Sequence, residues 1–95
     1  MKKNEKLFTE LASFKELQGN DLRVIMFCYK RDVMQKDIQE GLGMKKTNCS
    51  TIVNKLTRLR ILTRVNMYNT NFYRVNECWT TDQIPGQMDI QSYAI

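Results

Sequence analysis

The spacing of the apolar residues changes once along this chain, near residue 60, and no other feature limits the fold as much. Before that point apolar residues recur every three or four positions; after it they tend to alternate. Leu7, Phe8, Leu11 and Phe14 predict a first amphipathic helix over residues 4–17. Gln18-Gly19-Asn20 follows, with Gly19 suited to a left-handed cap. Asn20 or Asp21 then caps a second helix, Leu22 to Arg31, which is apolar nearly all round and reads as the central core helix. Asp32-Val33-Met34 is a short break that suits a small strand. A third helix is expected over Gln35–Leu42, with Ile38 and Leu42 inward and Gly43 allowing a tight turn. A fourth runs over residues 47–60, capped by Thr47, with Cys49, Ile52, Val53, Leu56 and Leu59 as its apolar stripe. Residues 61–67 and 72–76 then read as two strands joined at Tyr68-Asn69-Thr70-Asn71, whose asparagines tolerate the positive φ of a hairpin tip. Met26, Met34, Met44 and Met67 read as gap-filling core residues.

Composition narrows the chemistry. Ninety-five residues suit one domain, expected over 1–78, with 79–95 as a tail that either docks through Trp79 and Tyr93 or stays loose. A core this small leaves little stability in reserve, and pairing through helix 1 and the tail, with Phe8, Phe14, Trp79 and Tyr93 at hand, would add to it. The chain has no histidine, so neither a Ser-His-Asp nor a Cys-His nucleophile pair can be built, and no histidine metal site. Its three cysteines, Cys28, Cys49 and Cys78, are widely spaced, which suits reduced thiols more than a disulfide or a metal site. The expectation is a non-enzyme with no cofactor, no metal and no small-molecule ligand. No apolar run approaches the ~20 residues a bilayer requires. Met1 to Phe8 lacks the apolar continuation of a signal peptide, so a cytoplasmic protein without membrane contact is expected.

The net charge of +5 is unevenly distributed. Residues 1–44 balance to +1 and residues 77–95 to −3, whereas residues 45–76 carry seven basic side chains and no acid. Such a segment attracts polyanions. It spans the fourth helix and the hairpin. At 100° per residue, Thr47, Ser50, Thr51, Asn54 and Arg58 fall on the side of that helix away from the apolar stripe. Asparagine can pair with adenine, arginine with guanine, and serine or threonine with base or phosphate. Lys45, Lys46 and the helix amino terminus suit flanking phosphates, and Lys55 belongs to the same basic set. Arg64, Tyr68, Asn69, Asn71 and Arg74 are the corresponding hairpin candidates.

A short helix, a glycine turn, a second helix and a hairpin form the plan of a winged helix-turn-helix, a mainly α fold with a small β-hairpin (α+β). Residues 21–77 resemble winged-helix DNA-binding domains of the MarR-like and related prokaryotic or mobile-element type. Their helix-to-wing junction commonly reads Leu-x-x-x-Gly-Leu-Ile-x-Arg, and here it stands as Leu56-Thr57-Arg58-Leu59-Arg60-Ile61-Leu62-Thr63-Arg64. The resemblance implies that Thr47, Ser50, Thr51, Asn54 and Arg58 lie on a recognition helix and Arg64 and Arg74 on the wing. Arg60 departs from the family's glycine. Arginine in a left-handed cap costs about 1 kcal/mol, so the helix is expected to end differently or run longer.

The function expected is sequence-specific binding of double-stranded DNA. Helix 47–60 would lie in the major groove, and wing 61–77 on adjacent backbone or minor groove. A small transcriptional regulator heads the list, followed by an accessory protein of plasmid or phage replication, partition or conjugative transfer. A protein-interaction winged helix with an acidic partner is the reading from another class. A single-strand or RNA binder would instead use Tyr68, Phe72 and Tyr73 as stacking surfaces.

Overall fold

A computed structural model of the chain describes residues 3–84. Four helices, α1 (Lys3–Ser13), α2 (Gly19–Cys28), α3 (Gln35–Leu42) and α4 (Lys46–Arg58), precede β1 (Leu62–Met67), β2 (Thr70–Val75) and a short 3-10 turn over Thr81–Gln83. This is the α+β order expected, a helix-turn-helix followed by a hairpin wing. No helix among the described residues is long and apolar enough to cross a membrane.

Aspartates at the third helical position start two of the helices. The carboxylate of Asp21 accepts the Gln18 backbone N–H at 2.8 Å, and that of Asp37 accepts the Met34 N–H at 3.1 Å. Each bond closes the first turn and puts a negative charge at the positive end of the helix dipole. The α3 helix ends at Gly43, whose φ of +64° is left-handed, and Met44 N–H returns to Gln39 O at 2.9 Å. That turn leads directly into α4.

The two strands are antiparallel, from Leu62 opposite Val75 to Met67 opposite Thr70. Tyr68 and Asn69 form the two-residue loop, with φ of +54° and +61°, the type I′ signature that matches strand twist. Val33 adds one isolated bridge to Tyr73, through N···O distances of 3.0 and 2.7 Å, so the short break after α2 touches the outer edge of β2 at a single residue instead of forming a strand. One core joins all the elements. Leu7 and Leu11 of α1, Val24, Ile25 and Cys28 of α2, Ile38 of α3, Cys49, Val53 and Leu56 of α4, and Ile61, Leu62, Tyr73 and Val75 of the wing are buried together.

Several local expectations are corrected. The α1 helix stops at Ser13, and Gly19 opens α2 rather than capping α1. Phe14 and Leu17 pack on the core from the intervening turns. Gln18 is the cap residue of α2, and Lys45, with no side-chain cap bond, is that of α4. Thr47 therefore sits inside the first turn. Met26 is 58% exposed and Met67 37%, so neither fills the core; Met34 and Met44 are half-buried.

The aromatic residues expected to support pairing are engaged within the chain. Phe8 packs against Tyr29 with ring centroids 5.2 Å apart, and Phe14 against Trp79 at 5.6 Å. Trp79 is 1% exposed, and its indole N–H donates to Leu59 O at 2.8 Å. Trp79, the first residue of the expected tail, is thus docked on the core. Tyr93 and the tail beyond Ile84 lie outside the described residues.

Cys28 and Cys49 are buried and Cys78 is exposed. Burial pushes the Cys28 thiol up to about 12, opposed by nearby Arg31 and aided by Cys49, and burial also raises Cys49. A thiol whose pKa is higher folded than unfolded stabilises the fold fully below the unfolded value, and that stabilisation fades as pH rises toward the folded one.

Two outcomes are expected. Iodoacetamide at pH 8 should alkylate Cys78 in the native protein and reach Cys28 and Cys49 only after unfolding, as peptide mass mapping would show. Trp79→Ala should cost about 3–5 kcal/mol in urea unfolding, because it leaves both a cavity and the Leu59 carbonyl without its donor.

Candidate nucleic-acid interface

The inward side of α4 is set by Cys49, Val53 and Leu56, all fully buried. The helical period then turns Thr47, Thr51, Asn54 and Arg58 to solvent as one stripe, and all four are exposed. Ser50 flanks this stripe and is half-buried. The Thr51 hydroxyl donates to Thr47 O at 2.9 Å, while the Asn54 amide and Arg58 guanidinium make no hydrogen bond to another described residue. The stripe contains no acid.

The amino terminus of α4 differs from those of the other helices. The α1, α2 and α3 helices each carry an acid in the first turn, Glu5, Asp21 and Asp37, and α4 carries none. Lys45 and Lys46, both exposed, stand at the positive end of its dipole. Two lysines oppose that dipole in isolation, and an anion at the same place would relieve the repulsion.

Lys55 is held by partners within the chain. Its ammonium lies 2.8 Å from Asp21 Oδ2 and 2.8 Å from Glu16 O, tying α4 to the turn before α2 and to the start of α2 itself. Asp21 is 3% exposed and needs this partner, since a buried lone carboxylate is costly. Of the basic residues expected on the nucleic-acid face, Lys55 is thus engaged within the fold, by Asp21 and the Glu16 carbonyl.

Strand alternation divides the wing residues. Opposed residues share a face, so Leu62, Arg64 and Asn66 lie with Val75, Tyr73 and Asn71 on one side of the hairpin. The base of this side is core, and its outer part presents Arg64 and an Asn66 amide that donates to Asn71 Oδ1 at 2.9 Å. Arg74 lies on the other side with Thr63, Val65 and Phe72. Its guanidinium holds Asp32 at 2.7 Å. Arg64 and Arg74 thus do not act as one pair. Tyr68 is 98% exposed at the tip beside exposed Asn69. Tyr73 is buried and Phe72 half-buried, which leaves Tyr68 as the one freely exposed aromatic of the three expected to stack on single strands.

Beyond the predicted set, the structure adds Arg60. Its φ is +69°, so α4 does end in the left-handed turn its sequence was expected to avoid. The residue lines an open cleft of about 660 Å³ with Thr57, Leu62, Thr63, Arg64 and Asp82 among others. The visible signal was arginine where the junction pattern has glycine. Among the described residues no cluster of cysteine and carboxylate side chains could hold a metal ion. No protein-family model matches the chain, and no curated protein is significantly similar to it in sequence.

Lys55→Met should lower stability by about 1–3 kcal/mol in urea unfolding, the cost of leaving the Asp21 carboxylate without this donor. Asp21→Asn in the Lys55→Met background should recover part of the loss, because the amide carries no charge to desolvate.

Proposed function

We propose that this chain binds double-stranded DNA sequence-specifically, as a small winged-helix regulator of transcription. The α4 helix enters the major groove and the wing meets the adjacent backbone or minor groove. The observation that carries this reading is the stripe Thr47, Thr51, Asn54 and Arg58, exposed on the second helix of a helix-turn-helix. It stands within the acid-free stretch from Lys45 to Asn76. These side chains have the donors and acceptors that base edges offer in the major groove. Lys45 and Lys46 at the uncapped start of α4 match the phosphates flanking such a helix.

The wing supports duplex over single strands as the target. Single-strand binders stack bases on several exposed aromatics, and among the described residues Tyr68 alone is a fully exposed aromatic. The small polar side chains of the α4 stripe also differ from the aromatic-rich centres of protein–protein interfaces. An accessory role in plasmid or phage replication, partition or transfer would use the same site and differs only in where the target sequence lies.

Selection of bound sites from a random duplex library, followed by mobility shifts across a salt series, tests the proposal. Duplex should be preferred over single strands, with affinity falling linearly in log–log salt. Asn54→Ala and Arg58→Ala should each cost ~1–3 kcal/mol at the selected site, whereas Lys46→Ala should weaken all duplexes alike and reduce the salt slope by about 1. Equal affinity for single strands, or no duplex binding at roughly 100 mM salt, would overturn the reading.

A further inference from the structure

The α3 and α4 helices end in the same backbone turn. A left-handed residue precedes an N–H that reaches back five positions: Met44 to Gln39 O at 2.9 Å, Ile61 to Leu56 O at 3.0 Å. At the end of α3 the left-handed residue is Gly43; at the end of α4 it is Arg60. Glycine adopts this conformation without a Cβ clash and arginine does not. Backbone strain of this kind persists only where the surrounding structure holds it, and it clusters at functional sites. Lys30 is also left-handed, but its ammonium lies 5.6 Å from the Tyr29 ring centroid, so that side chain has a local partner. The Arg60 guanidinium makes no hydrogen bond or ion pair to another described residue.

Arg60 faces the cleft shared with Arg64 and Thr63. That cleft runs beside the start of β1, a strand paired on one edge only, to β2, among the described residues. The other polar groups around the cleft are already engaged. The Thr57 hydroxyl donates to Val53 O, the Asn76 amide to Arg60 O and Gln83 Oε1, and the Gln83 amide to Cys78 O. The free donors among the described residues are therefore two guanidinium groups, whose planar N–H forks fit the oxygens of one phosphate. Among the described residues Asp82 is the one carboxylate in the lining, and it opposes an anion there.

We propose that this cleft is a phosphate-binding site in which Arg60 and Arg64 grip one phosphodiester of the DNA backbone between the recognition helix and the wing. The identity of that phosphate rests on the DNA-binding reading above; the anion chemistry of the cleft does not. The grip fixes the register of α4 in the groove without reading a base.

Arg60→Gly separates this role from a structural one, because glycine suits the left-handed turn. The variant should melt at or above the wild-type temperature yet bind random and selected duplexes more weakly, with the log–log salt slope reduced by about 1. Arg64→Gln should do the same to binding, Arg60→Lys should restore part of it, and Asp82→Asn should tighten it. Duplex affinity and salt slope unchanged in Arg60→Gly would overturn the site while leaving DNA binding by α4 intact. Should the wild type bind no duplex, titration with inorganic pyrophosphate decides the cleft separately. Amide shifts at Arg60, Thr63 and Arg64 that vanish in Arg60→Gly support an anion site for free phosphates, and their absence in the wild type overturns it.

Discussion

The wing is held to α4 by hydrogen bonds at the carboxy-terminal end of that helix, where several backbone carbonyls have no helical partner. Three of them find specific ones. Ile61 N–H satisfies Leu56, Arg60 N–H satisfies Thr57, and the Trp79 indole satisfies Leu59. Asn76 adds two more bonds, its side chain to Arg60 O and its backbone N–H to Ile61 O. These donors come from the turn itself, from the end of the hairpin and from the segment beyond it. The angle at which the wing leaves the helix is therefore set by groups far apart in the chain. Any surface formed jointly by α4 and the wing inherits its geometry from this junction.

A second tie acts at the other side of α4. Lys55 reaches Asp21, which also closes the first turn of α2. One carboxylate thus starts a helix and orients its neighbour, and its near-complete burial makes that orientation specific. With Lys55 drawn inward, the outward face of α4 is left to Thr47, Thr51, Asn54 and Arg58. The basic character of the proposed interface then comes from Lys45, Lys46 and Arg58 on α4 and from Arg60 and Arg64 at its exit.

How far each element can be read from sequence follows from the range of the forces that define it. The α3 helix is legible to the residue, because Asp37, Ile38 and Gly43 act within a few positions of one another. The hairpin is nearly so, since alternation and the Tyr68-Asn69 turn are local. The α1–α2 connection is not. Gly19 has the chemistry of a cap, yet α1 ends earlier because Phe14 is drawn onto Trp79 from the other end of the domain. Lys55 shows the same limit in the site: its helical position flanks the outward face, and only the location of Asp21 turns it inward.

The sequence alone determined the order of helices and strands, the apolar side of α4 and the stretch without acids, because periodicity and charge are properties of the chain itself. The tertiary structure decided which cations are free and which are engaged, pairing Lys55 with Asp21 and Arg74 with Asp32. It also decided that Arg60 takes a strained conformation beside Arg64. Those outcomes depend on burial and on partners distant in the chain, and neither is encoded in local spacing.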